Sequence, residues 1–120
     1  MQIRESARAS LLARLQGRQR ERWPQLDEVR VRFRVPFAYV DAVLEGEVLP
    51  LCRLRYTGSA EEWGFAPYLA SKNGYETSVL PDGSFTGPPE HALDTACGLH
   101  LGDMSAWTDL FALKRSPPAH

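Results

Sequence analysis

Val29-Arg-Val-Arg-Phe-Arg-Val35, followed by Pro36 and then Phe37-Ala-Tyr-Val-Asp-Ala-Val-Leu44, is the stretch that decides the fold. The first seven residues alternate apolar and charged side chains without a fault. A strand has a side-chain period of two, so Val29, Val31 and Phe33 line a dry face while Arg30, Arg32 and Arg34 line a wet one. Pro36 cannot donate to a ladder, which leaves either two strands or one long strand bent at a bulge. The bend is the expectation, because too few residues surround Pro36 for an ordinary hairpin loop. Beyond it Ala38, Val40, Ala42 and Leu44 take the dry face, leaving Phe37, Tyr39 and Asp41 on the wet one.

Downstream the strand pattern continues. Glu45-Gly46-Glu47 turns the chain, and Val48–Tyr56 puts Cys52, Leu54 and Tyr56 on one face and Arg53 and Arg55 on the other. Thr57–Glu62 is a polar loop. Trp63–Ser71 and Tyr75–Leu80 flank Asn73-Gly74, a pair that tolerates the positive φ of a type I′ hairpin turn. Pro67 places the fourth strand at an edge or a bulge.

Helices flank the sheet. Residues 4–22 are rich in good helix formers and end before Trp23-Pro24. Ile3, Ala7, Leu11 and Leu15 give that helix an apolar stripe. Arg18 and Arg22 continue the same side and are expected as solvated arginines overrunning the core, in preference to a basic arm for nucleic acid. Residues 88–101 form a second helix with proline in its first turn and Ala92, Leu93, Ala96, Cys97 and His100 facing inward. Gly102 ends it, a short helix capped by Asp103 or Ser105 carries Trp107, Leu110 and Phe111, and residues 114–120 are a tail.

The reading is therefore α+β: a single domain over residues 1–120, with an antiparallel sheet of four or five strands in residues 29–80. The N-terminal helix (1–22) and the C-terminal helices (88–113) pack on one face. The expected core is Val29, Val31, Phe33, Val40, Cys52, Leu54, Phe65, Leu69, Val79, Leu93, Ala96 and Leu110.

Composition narrows the function classes. Apolar and charged fractions of 43% and 24% are those of an ordinary globular domain. No apolar run is long enough to span a bilayer and the N-terminus has no signal-peptide core, so the expectation is a cytoplasmic protein without a membrane partner. The net charge of −1 hides a polarity: residues 1–60 carry eleven arginines against seven acids, and residues 61–120 carry three bases against eight acids. Two halves that pair with each other explain this most simply.

Strings along the chain resemble a family of short uncharacterised proteins of actinobacterial type. They are Arg32-Phe-Arg34, Phe37-Ala-Tyr-Val-Asp41, Leu49-Pro-Leu-Cys-Arg-Leu-Arg-Tyr56, Trp63-Gly-Phe-Ala66, Tyr68-Leu-Ala-Ser71, Ser78-Val-Leu-Pro81 and Ala96-Cys-Gly98. They span Trp23 to Asp103. The resemblance implies no activity, ligand or site residue, and Pro36 departs from the small flexible residue expected at its position.

Chemistry-bearing residues are few. Cys97 and His100 share a helical face at a spacing open to two zinc ligands, but no CxxC or HExxH pattern supplies a second pair. Cys52 falls on a dry face, a poor place for a nucleophile, and no oxyanion-hole motif accompanies Cys97. The acids Glu61, Glu62, Asp94, Asp103 and Asp109 read as solvation and capping, and no glycine-rich phosphate loop is present. No catalytic residue, metal ligand or cofactor is assigned, and an enzyme is not expected. The leading reading is a non-catalytic binding module that contacts a protein, or a second copy of itself, through exposed aromatic and arginine side chains. The alternative is single-stranded nucleic acid bound by Arg30, Arg32, Arg34, Phe37, Tyr39, Arg53 and Arg55, provided the strands carrying them are neighbours and the acidic half does not cover them.

Overall fold

A computed structural model describes residues 2–101. Elements follow in the order α1 (Glu5–Arg22), β1 (Glu28–Arg34), β2 (Phe37–Leu44), β3 (Glu47–Tyr56), β4 (Trp63–Leu69), β5 (Gly74–Tyr75), β6 (Thr86–Gly87) and α2 (Pro89–Leu101). The sheet is an antiparallel meander, β1-β2-β3-β4-β5, with the short β6 added to β4. Both helices pack on one side of it. The α+β expectation holds, with β6 gained from what reads in sequence as an extended loop. The proposed final helix, the Gly102 stop, the tail and core residue Leu110 lie outside the described residues.

The alternation in β1 means what it says: Val29 is buried, Val31 and Phe33 are half-buried, and the three arginines are exposed. The bend at Pro36 is corrected. β1 and β2 form a tight hairpin whose register runs from Glu28 opposite Val43 to Arg34 opposite Phe37. Only Val35 and Pro36 lie between the strands, joined by a cis peptide bond. A cis proline at the third position of a four-residue turn reverses the chain within two residues, so no longer loop is needed.

Two other turns exchange roles. Glu45 and Gly46 both have positive φ, 52° and 83°, which makes the β2–β3 connection a two-residue hairpin of the I′ kind. At Asn73-Gly74 only Asn73 has positive φ, Gly74 belongs to β5, and residues 70–73 make a four-residue loop. The expected strand over Tyr75–Leu80 shortens to Gly74–Tyr75 plus a single bridge from Ser78 to Phe65. Val79 accordingly is exposed, not core. Leu69 is only half-buried.

Of the remaining expected core, Val40, Cys52, Leu54, Phe65, Leu93 and Ala96 are buried. Ile3, just before α1, and the α1 stripe of Ala7, Leu11 and Leu15 are buried with them, and Trp23 closes the end of the core. β3 carries a bulge: Val40 faces Cys52 but Asp41 faces Pro50, so Leu51 is the extra residue. Its side chain is buried, and its carbonyl oxygen lies 3.2 Å from Nε2 of His100. A bulge leaves backbone groups without ladder partners, and α2 supplies one here.

The charge polarity of the sequence is resolved on the helical side. Arg14 Nε and Nη2 each donate to Glu90 at 2.8 Å, and Nη1 donates to Glu61 at 3.0 Å. Arg18 donates to both oxygens of Asp94, the shorter contact being 2.6 Å. The expectation of a solvated Arg18 is corrected, and so is that of Asp94 as a solvating acid. Asp94 is buried and also accepts from Trp23 Nε1 at 2.9 Å. Burial alone pushes the Glu90 carboxyl up, but the hydrogen bond and attraction of Arg14 outweigh it and hold Glu90 below its ordinary value of 4.5. A depressed carboxylate contributes stability above its unfolded value and loses it as pH falls through the folded one. The melting temperature of Glu90→Gln is therefore expected to converge on that of the native protein as pH drops below about 4.5, the gap above it reflecting less than about 1 kcal/mol for a partly exposed pair. Thermal melts at pH 7 and 3 check this; an unchanged gap at pH 3 contradicts it.

Candidate functional site

The helices leave the opposite face of the sheet open, and the cross-strand register lays out its side chains. One row runs Arg34, Phe37, Arg55, Gly64 across β1 to β4. The next runs Arg32, Tyr39, Arg53, Ala66. A third begins with Arg30 opposite Asp41. The strands carrying the two sets of arginines are thus not neighbours: β2 separates them, so its rings interleave the two arginine rows. All seven residues singled out from sequence, Arg30, Arg32, Arg34, Phe37, Tyr39, Arg53 and Arg55, lie on this face.

The rings form a chain. Phe37 and Tyr39 have centroids 6.3 Å apart, Tyr39 and Tyr75 5.2 Å, and Tyr75 and Tyr68 5.4 Å, each in an edge-on arrangement. The guanidinium of Arg53 lies 4.3 Å from the Phe37 centroid and 5.9 Å from that of Tyr75, and Arg32 lies 5.4 Å from Tyr39. A ring's negative face attracts a cation, a contact worth about 0.5–2 kcal/mol depending on burial, so Arg53 is held in place without a carboxylate. Tyr68, Tyr75 and the exposed Phe85 were not among the sequence candidates. Tyr68 and Tyr75 flank the β4–β5 turn and face each other, a pairing that hairpin register could have supplied. Phe85 is 75% exposed in an irregular stretch, where no periodicity points to it.

Acids are sparse here. Asp41, expected on the wet side, is on that side but only 6% exposed, and it accepts from Arg32 Nε at 3.2 Å. Glu28 pairs with Arg30 at the rim. Among the described residues Arg34, Arg53 and Arg55 have no carboxylate partner, while Glu61, Glu90 and Asp94 pair with α1 and Glu76 pairs with Lys72. Burial, and then the nearby Asp41, push the Tyr75 phenol up, so it stays a neutral hydrogen-bonding group at neutral pH.

The cysteine and histidine candidates go elsewhere. Cys52 and Cys97 are both buried in the core, and burial pushes both thiols up, away from the reactive thiolate. His100 meets the bulge carbonyl and lies beside Tyr68. Among the described residues no group of three or more His, Cys, Asp or Glu side chains is placed to hold a metal ion. No described helix is long and apolar enough to cross a membrane.

No family model, curated protein or solved structure matches the chain.

Proposed function

We propose that this protein is a non-catalytic binding module whose working surface is the arginine–aromatic face of the sheet, and that its partner is single-stranded nucleic acid. The observation that carries the reading is the partition of charge. Carboxylates neutralise Arg14 and Arg18 behind the sheet, while Arg34, Arg53 and Arg55 have none among the described residues and stand beside a chain of rings. Arginines that track phosphates and rings that stack on bases are the combination that sequence-tolerant single-strand binders use. The overall charge of −1 is no obstacle. The Debye length is about 10 Å at 0.1 M salt, so a strand lying on the sheet responds to the arginines it touches more than to acids behind the helices.

Self-association through this face is the weaker alternative. A two-fold interface sets the same patch against itself and would bring arginine rows together. A protein partner on this face would need to be acidic, which makes it a competitor in the same assay.

Anisotropy titrations with a labelled single-stranded 12-mer test the reading. With about four phosphates contacted, affinity is expected to fall roughly fifty-fold between 50 and 200 mM salt. The triple variant Arg34→Ala, Arg53→Ala, Arg55→Ala is expected to lose at least about ten-fold in affinity at 50 mM, with a shallower salt slope. Native binding weaker than millimolar at 50 mM, or an unaffected triple variant, overturns it; so does a polyglutamate peptide binding more tightly than the oligonucleotide.

A further inference from the structure

At one end of this face the rings and arginines enclose a cleft. It is bounded by Phe37, Arg53, Arg55, Gly64, Thr77 and Phe85 and has a volume of about 120 Å³. Pockets that take drug-sized ligands or cofactors start at roughly 300 Å³, whereas an engineered cavity of about 150 Å³ suffices for benzene. The space is that of one ring. Its floor is low because Gly64 has no side chain: a Cβ there would come within 3.3 Å of the Arg55 Cβ. Its chemistry is mixed. Phe85 offers an open ring surface, the Arg53 guanidinium lies 4.3 Å from the Phe37 centroid, Arg55 has no carboxylate partner among the described residues, and Thr77 adds a hydroxyl.

We infer that this cleft is a base-binding subsite, which seats one nucleobase of the bound strand against Phe85 and its flanking phosphate against Arg55 and Arg34. The inference rests on the single-strand reading and adds to it a defined seat for one base at Phe85, outside the ring chain of Phe37, Tyr39, Tyr75 and Tyr68. Each element answers one part of a nucleotide. Phenyl and guanidinium planes stack on a base, guanidinium and hydroxyl donors meet base-edge acceptors and phosphate oxygens, and the glycine floor lets a planar group approach the backbone. An isolated phosphate would leave Phe85 unused. A purely apolar ligand would strand two guanidinium groups.

Oligonucleotides of thymidine and abasic 12-mers of equal charge separate the two ideas. The native protein is expected to bind the base-bearing strand at least roughly ten-fold more tightly than the abasic one, a single stacked base supplying about that factor. Phe85→Ala, at a residue exposed enough to leave the fold intact, is expected to reduce that preference about ten-fold without changing affinity for the abasic strand. Phe85→Trp is expected to retain it. An undiminished preference in Phe85→Ala overturns the subsite while leaving single-strand binding in place; equal affinity of the native protein for the two strands overturns the subsite together with base stacking by the other rings. Failure of both strands to bind removes the subsite together with the function it rests on.

Discussion

Replacing Trp63 by alanine is expected to lower the unfolding free energy by about 4 kcal/mol, the largest effect of any single change proposed for this chain. Trp63 is fully buried. Its ring packs against Tyr56 at a centroid distance of 5.3 Å, and its indole nitrogen donates to the Ala60 carbonyl at 3.1 Å. Its backbone faces Tyr56 of β3 on one side and Gly87 of β6 on the other. Truncation therefore empties the volume where β3, β4 and β6 meet and removes the shorter of two hydrogen bonds to the Ala60 carbonyl, leaving only Arg14 Nη1 at 3.4 Å. Surrounding side chains belong to three strands and cannot all collapse into the gap, so the cavity cost adds to the lost transfer energy. Urea unfolding followed by tryptophan fluorescence and circular dichroism measures the loss. A decrease under about 1.5 kcal/mol would show that the site relaxes freely, against the packing described.

Asp94→Ala is expected to cost about 3 kcal/mol. The carboxylate is the one acceptor that joins α1, the Trp23 corner and α2, taking hydrogen bonds from Arg18 and Trp23. Its removal leaves the indole N–H of a fully buried Trp23 without that acceptor, the expensive half of the loss. Arg18 is about a quarter exposed and can turn to water, which keeps its share small. Two comparisons separate the parts. Asp94→Asn keeps an acceptor for Trp23 and should recover more than half of the loss. Adding Trp23→Phe to Asp94→Ala removes the orphaned donor, so the second substitution should cost much less than it does in the native background. Strict additivity in that cycle would show that the Trp23–Asp94 bond carries no weight.

The sheet was legible because its main strands obey a two-residue period, so the face assignment of β1 to β3 and both helices follow from the letters, whereas the sixth strand, Thr86–Gly87, carries no such pattern. The errors have local causes. At Pro36 the backbone isomer was the hidden variable, since a two-residue reversal becomes possible only with the cis bond. At Asn73-Gly74 a strong dipeptide signal was overridden by a four-residue loop, which shortened the following strand and released Val79 to solvent. Asp41 and Asp94 show a different limit. Polarity marked both as surface residues, and only the tertiary arrangement of Arg32, Arg18 and Trp23 makes burial of a carboxylate tolerable. The arginine–aromatic face was legible as two strands' worth of residues. Its continuity through β2, and the contributions of Tyr68, Tyr75 and Phe85, required the pairing order.

Among the described residues β1 also has an unpaired side: it ends the sheet and pairs with β2 alone. A seven-residue outer strand with valine and phenylalanine at every second position is a template on which other chains could add strands and aggregate. Arg30, Arg32 and Arg34 interrupt that hazard by placing a charge beside every apolar residue. The same side chains thus guard the edge as gatekeepers while forming the proposed contact surface. Neutral substitutions in β1 would confound the two roles, producing weak binding and precipitation together. Reversing the charges to glutamate keeps the edge guarded while abolishing attraction for an anion, and so isolates recognition from colloidal stability.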